Sequence, residues 1–148
     1  MKFLSFYKWI AGSMTDFVNQ FKNNEALYNQ ARAYWSKLES SSSIIFIIFL
    51  VLGILLAVIY YQPYNNRPGR HYTPIHWIVF LAITFILTFF VTWGFEYIAV
   101  PPKLDGAAML QVKIAIGNAL YASGLYVVVS LFWCLFLPTN AYRLIKKI

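Results

Sequence analysis

The sequence predicts an all-α integral membrane protein, in which three transmembrane helices follow an N-terminal amphipathic helical arm. Hydrophobic residues make up 60% of the 148 residues and charged residues only 11%, whereas soluble domains average about 45–50% and 25%. Three apolar runs are also long enough to cross a bilayer, which takes about 20 helical residues. The predicted spans are residues 44–61, 75–99 and 110–137.

The arm comprises residues 1–42 and begins with an amphipathic pattern. From Phe3 to Phe21 the apolar side chains recur every three or four residues, with too many polar residues between them for a span. We predict a helix that lies in the membrane interface, although packing against a partner helix gives the same periodicity. The residues assigned to this apolar face are Phe3, Phe6, Ile10, Phe17 and Phe21.

The second half of the arm predicts another short helix. Asn24 is a favourable residue for its N-terminal cap. Five apolar residues share one side of it, and they are Leu27, Ala31, Tyr34, Trp35 and Leu38. The serines of residues 40–43 then lead into the first span, so residues 43–148 form the predicted transmembrane domain with a short basic tail.

Proline-containing segments separate the three spans. Residues 62–74 contain three prolines and residues 101–106 begin with two. Because proline breaks helices, the chain is expected to turn outside the hydrocarbon at both places. Three spans put these turns on opposite sides. Six Lys and Arg residues then fall on the side of the arm and five on the other, a small excess that favours an internal N-terminus.

The second span carries the most informative polar pattern. Thr84, Thr88, Thr92 and Glu96 recur every four residues and form one ridge along the helix. Inside a membrane we expect this ridge to line a pore or an interface, while the alternative is that each Thr hydroxyl bonds its own helix. Lys113 is expected at a depth similar to that of Glu96. The two therefore either pair or reach the headgroups independently.

The third span is rich in small residues, which let helix backbones approach closely. Ala108, Ala115, Ala119 and Ala122 lie on one face of the predicted helix, and Gly117 and Gly124 lie nearly opposite. We expect this helix to pack on both sides, against its own chain and against another subunit.

Few residues are suited to catalysis or metal binding. Cys134 is the single cysteine, and His71 and His76 lack both a helical ligand spacing and a carboxylate in their loop. No nucleophile–base pair or phosphate-binding glycine loop is present. The basic residues flank the apolar runs, which suits anionic lipid headgroups better than nucleic acid. We predict no cofactor, no metal, no nucleic-acid partner and no enzymatic activity.

These observations predict a small multi-pass membrane protein in contact with lipid that self-assembles into a homo-oligomer, plausibly a pore or channel. The alternative is an accessory or scaffold subunit of a larger membrane complex, of the secretion or respiratory type. The sequence does not indicate which cellular membrane would hold it.

Overall fold

The computed structural model describes residues 3–65 and 73–145, and within them the secondary structure is helical with no β-strand. A 3₁₀ turn (Phe3–Tyr7) precedes two short helices, α1 (Lys8–Ala11) and α2 (Met14–Asn19). The long helices are α3 (Glu25–Ile59), α4 (Pro74–Ala99) and α5 (Ala107–Phe136). By length and composition, the described part of the chain has three helices suited to crossing a membrane, which confirms the predicted number.

The N-terminal arm is interrupted, so the prediction of one helix from Phe3 to Phe21 is wrong. Gly12 has a φ of +81°, a left-handed conformation that favours glycine and ends α1. Ser13 and Asp16 then form a capping box that starts α2. The Asp16 amide donates to Ser13 Oγ at 3.2 Å, and the Ser13 amide donates to Asp16 Oδ2 at 3.0 Å.

Asn24 caps α3 as predicted, but this helix is not short. Asn24 Oδ1 accepts from the amides of Ala26 at 3.1 Å and Leu27 at 3.2 Å. The helix then continues for 35 residues. The serines do not break it, because the hydroxyls of Ser40 and Ser42 donate to carbonyls three residues earlier.

The end of α3 extends further than the sequence predicts. A π-helical turn covers Tyr60–Tyr64 and includes Pro63, which has no backbone N–H to donate. The Asn65 side chain donates to the carbonyl of Tyr60 and so satisfies this end of the helix. Residues 1–2, 66–72 and 146–148 lie outside the described ranges. They include His71 and several of the Lys and Arg residues counted for the orientation, which are Lys2, Arg67, Arg70, Lys146 and Lys147.

The chain divides into two compact units, and each long helix contributes one part to each. Unit 1 contains Met1–Ile48 and Phe89–Asn118, and unit 2 contains Phe49–Thr88 and Ala119–Ile148.

In unit 1 the arm packs against helices of its own chain. Tyr7 is fully buried, and its hydroxyl donates to Asn118 Oδ1 at 2.7 Å. The ring of Phe3 lies 4.7 Å from that of Phe46, between centroids. Phe17 is buried as well, whereas Phe6 remains 51% exposed. Helix packing, the alternative interpretation of the arm's periodicity, therefore describes much of its apolar face.

Unit 2 has an aromatic core. Its buried members are Leu56, Ala57, Tyr60, Tyr61, Trp77, Tyr126, Cys134 and Ala141. The indole of Trp77 donates to Ser130 Oγ at 3.1 Å, and the hydroxyl of Tyr126 donates to the Trp77 carbonyl at 3.4 Å. These bonds satisfy polar groups that the core would otherwise bury without partners.

Candidate functional site

The predicted polar ridge on α4 faces the interior of the chain, since Thr84, Thr88, Thr92 and Glu96 are all fully buried. In unit 2, Thr84 Oγ1 donates to the carbonyl of Phe80 at 2.8 Å, as the alternative interpretation of these threonines expected. Thr88 Oγ1 is buried and has no hydrogen-bond partner among the described residues. The threonines therefore differ in what they bond.

In unit 1, Thr92 belongs to a network centred on Asn118. The Asn118 amide donates to Thr92 Oγ1 at 2.7 Å and to the Ile45 carbonyl at 3.0 Å. Its oxygen accepts from the Tyr7 hydroxyl at 2.7 Å. One side chain on α5 thus connects the arm, α3 and α4.

Glu96 is the centre of a second polar group in unit 1. Both of its carboxyl oxygens are buried, and neither has a hydrogen-bond partner in the described part of the chain. The hydroxyl of Tyr34 and the Oε1 atom of Gln111 are likewise buried and unpartnered. The Tyr34 side chain lies beside both Gln111 and Glu96. We call Tyr34, Glu96 and Gln111 the Glu96 cluster.

The orientation of Gln111 follows from the end of α4. The last carbonyls of a helix have no intrahelical partners. Gln111 Nε2 donates to the carbonyl of Val100, the residue after α4, at 2.6 Å. It also donates at 3.3 Å to the carbonyl of Glu96, which accepts from the Val100 amide as well, at 2.8 Å. Because the amide nitrogen is committed to these carbonyls, its oxygen remains available as an acceptor.

The Glu96 cluster is suited to holding a proton. A carboxylate buried without a partner costs several kcal/mol of desolvation. A protonated carboxyl avoids most of this cost because it carries no charge. Three oxygen-bearing side chains are fewer than the roughly six ligands of Mg²⁺ or Ca²⁺. Nor do residues 3–65 and 73–145 contain a group of three His, Cys, Asp or Glu side chains placed for a metal.

The proposed pairing of Glu96 with Lys113 is wrong. Lys113 is exposed, whereas Glu96 is buried in the chain and its carboxyl oxygens have no hydrogen-bond partner among the described residues. The depth of each side chain in a membrane stays a prediction. Helix geometry explains the difference, because residues two apart on a helix point in nearly opposite directions. Gln111 faces Glu96, so Lys113 faces away from it.

The small residues of α5 occupy different environments. Ala115, Ala119 and Ala122 are fully buried, whereas Ala108 is exposed in the first turn. A Cβ atom on Gly117 would lie only 3.1 Å from a ring carbon of Tyr7, whereas a Cβ on Gly124 would meet nothing within 4 Å. The absence of a side chain at Gly117 therefore lets Tyr7 of the arm pack closely on α5, whereas Gly124 is exposed.

Sequence reasoning found Glu96 and Thr92 but missed Asn118 and Gln111. A usable signal was present, because the two amides stand seven residues apart on one face of an otherwise apolar helix. The chain shows no significant match to any protein family, to any curated protein or to any solved structure with which it was compared.

Proposed function

We propose that this chain is a non-enzymatic protein that spans a membrane three times and transfers protons, with Glu96 as the internal site that binds them. The observation that carries the proposal is the Glu96 carboxyl, which is fully buried and has no hydrogen-bond partner for either oxygen within residues 3–65 and 73–145. Ionisable residues within spans are costly, and they commonly mark ion or proton pathways. Tyr34 supplies a hydroxyl that can both accept and donate a proton in a hydrogen bond beside this carboxyl.

The proposal differs from a pore lined by the ridge at the centre of an oligomer. Because Thr92 and Glu96 are both buried within unit 1, the proposed proton-binding site lies inside each chain. Glu96 then acts as a binding site inside the protein and not as a charged mouth.

Proton flux into liposomes containing the purified protein tests this function. An imposed pH gradient should collapse faster with wild-type protein than in protein-free liposomes, and Glu96→Gln should abolish the difference because an amide cannot exchange the proton. Glu25→Gln is a matched control, since Glu25 is exposed at the start of α3. Lys113→Gln should also leave the flux unchanged. Wild-type flux in the Glu96→Gln protein would overturn the proposal.

Chemical labelling tests proton binding separately from transfer. Dicyclohexylcarbodiimide, an apolar reagent, attacks protonated carboxyls in apolar surroundings, so it should modify Glu96 in wild-type protein. A peptide mass map locates the adduct. Modification confined to exposed carboxyls such as Glu25 would show that Glu96 is ionised or inaccessible. Replacing Tyr34 by Phe removes the hydroxyl that lies beside the carboxyl, and it should slow proton flux while leaving the carboxyl in place.

Assembly remains the competing proposal, either with copies of this chain or as a scaffold subunit of a larger membrane complex. Many large apolar side chains are exposed on the described chain, including Trp9, Ile98, Val128 and Phe132. Lipid and partner subunits would cover such residues equally well. The mass of the detergent-purified complex separates the outcomes, because a discrete multiple of the chain mass supports self-assembly and retained foreign polypeptides support a scaffold.

A further inference from the structure

A basic groove lies in unit 1 between the first half of α3 and the segment that follows α4. Its volume is about 420 Å³, and Lys37 and Lys103 are the charged residues that line it. Apolar side chains line much of the remainder, including Ala33, Ala99, Val100 and Pro101. We call this the Lys37–Lys103 groove.

The charge of the groove is entirely positive. Among the described residues no Asp or Glu side chain lines it, and both lysines are exposed. A second groove of similar volume in unit 1 provides a contrast, because its two lysines, Lys8 and Lys113, share the lining with Asp16. The Lys37–Lys103 groove is therefore complementary to an anion that also carries apolar surface.

The position of the groove corresponds to the edge of the apolar runs. Lys37 precedes the apolar run that begins at Ile44 by seven residues, about 10 Å along a helix. Lys103 follows the end of α4 at Ala99 by four residues. In a chain that spans a membrane, both ammonium groups would stand at headgroup depth, with the apolar lining toward the hydrocarbon.

We propose that the Lys37–Lys103 groove binds an anionic phospholipid, with the phosphate between the two lysines and the glycerol and upper acyl chain on the apolar lining. The inference rests on the membrane-spanning part of the proposed function and requires no proton transfer. Tyr34 lines the groove and also belongs to the Glu96 cluster, whereas Glu96 itself is not among the lining residues. Glu96→Gln should therefore leave lipid binding unchanged, so failure of one proposal is distinguishable from failure of the other.

Lipid retention measured by native mass spectrometry tests the inference. Protein extracted from bilayers with equal amounts of phosphatidylglycerol and phosphatidylcholine should retain phosphatidylglycerol selectively. Each lysine near an anionic surface contributes about a factor of five in affinity. Lys37→Gln with Lys103→Gln should thus weaken retention roughly 25-fold. The pair Lys8→Gln with Lys113→Gln removes the same charge outside the groove and should have much less effect.

Equal losses in the two double variants would show general attraction to a basic protein and would overturn the site. A steric variant gives an independent result without changing charge. Ala33→Trp should fill the groove and displace the lipid, whereas Ala26→Trp, at an exposed position of α3 outside the lining, should not. If inorganic phosphate alone binds the protein as tightly as the lipid does, the groove is a site for a soluble anion and the inference fails.

Discussion

At the scale of single residues, Asn118 concentrates several buried hydrogen bonds in one side chain. It bonds Tyr7, Ile45 and Thr92 within unit 1. We expect Asn118→Leu to lower the free energy of unfolding by about 2–4 kcal/mol, because a buried polar group left without a partner costs about 1–3 kcal/mol. Unfolding by denaturant in mixed micelles measures the change.

The Tyr7→Phe variant supplies the control for this expectation. With Asn118→Leu alone, the Tyr7 hydroxyl is buried without a partner, but in the double variant that hydroxyl is absent. The double variant should therefore be more stable than the sum of the two single effects predicts. Strict additivity would show that the bond from Tyr7 to Asn118 contributes nothing measurable.

The residue scale also shows what sequence could and could not predict about the site. The four-residue spacing correctly placed Thr84 to Glu96 on one buried face, because helical geometry is the same everywhere. The choice of Lys113 as the partner of Glu96 failed for a different reason. Opposite charge and similar depth suggested it, but the rotation of α5 about its axis presents Gln111 instead. That rotation depends on packing between helices, which one sequence does not reveal.

At the scale of elements, Gly53 lies at a close approach of α3 to α5 in unit 2. A Cβ atom there would lie 2.9 Å from the carbonyl oxygen of Ala122 and 3.2 Å from the Leu125 side chain. Gly53→Ala should therefore force the helices apart and lower the unfolding free energy by about 1–3 kcal/mol.

The Gly124→Ala variant is the matched control, because it lies in α5 where a Cβ meets nothing within 4 Å. It should be neutral or stabilising by up to about 1 kcal/mol, since alanine favours a helix over glycine. Thermal unfolding in detergent compares the two. A Gly53→Ala protein as stable as Gly124→Ala would exclude a close helix contact at this position.

The cap of α2 makes the arm sensitive to acid. Hydrogen bonds from the Ser13 side chain and backbone hold the pKa of Asp16 below its usual value of 3.8. A carboxyl with a lowered pKa stabilises the folded arm above that value, and this stabilisation is lost as the pH falls from 3.8 through the lower folded pKa. Amide hydrogen exchange in α2 should accelerate over this range after correction for intrinsic rates.

Substitutions at the cap test the same prediction. Ser13→Ala should accelerate exchange in α2 above pH 3.8 and weaken its pH dependence, because both bonds of the Ser13 hydroxyl are lost and only the bond from the backbone amide to Asp16 remains. Thr15→Ala, at an exposed position of the same helix outside the cap, should retain the wild-type pH dependence. An unchanged pH profile in Ser13→Ala would assign the effect to another group.

The elements predicted best were those with an unambiguous local signal. Helix α4 begins at Pro74 and ends two residues before Pro101, the first of the double proline. Both ends therefore agree with the predicted span to within one residue. The arm was less predictable because two signals competed. Helical periodicity from Phe3 to Phe21 suggested continuity, whereas Gly12 and the Ser13–Asp16 capping box favour a break, and the structure follows the latter. At the serine run the error was the reverse, because the sequence predicted a break before the first span and the helix is continuous. The serine hydroxyls donate to carbonyls of the preceding turn, which is compatible with a helix.

At the scale of the whole molecule, three spans require the connections at the two ends of α4 to lie on opposite sides of the membrane. Thr73 and Lys103 are exposed residues on these connections. Single cysteines at the two positions, in a Cys134→Ser background, should react with an impermeant maleimide from opposite sides of sealed proteoliposomes. The residual reactivity of the parent is the control. Labelling of both cysteines from one side would refute three spans.

Helix α3 runs unbroken for 35 residues from Glu25, although its apolar run begins only at Ile44. Ile44 follows Glu25 by 19 residues. This part of the helix is therefore roughly 28 Å long. Tilts of membrane helices adjust to bilayer thickness over tens of degrees. A change of about 10° would swing the outer end of this part of the helix by about 5 Å. A thinner bilayer would thus displace the first turns of α3 together with Phe17 of the arm, which packs on Tyr34 and Trp35, without any rearrangement inside the helix.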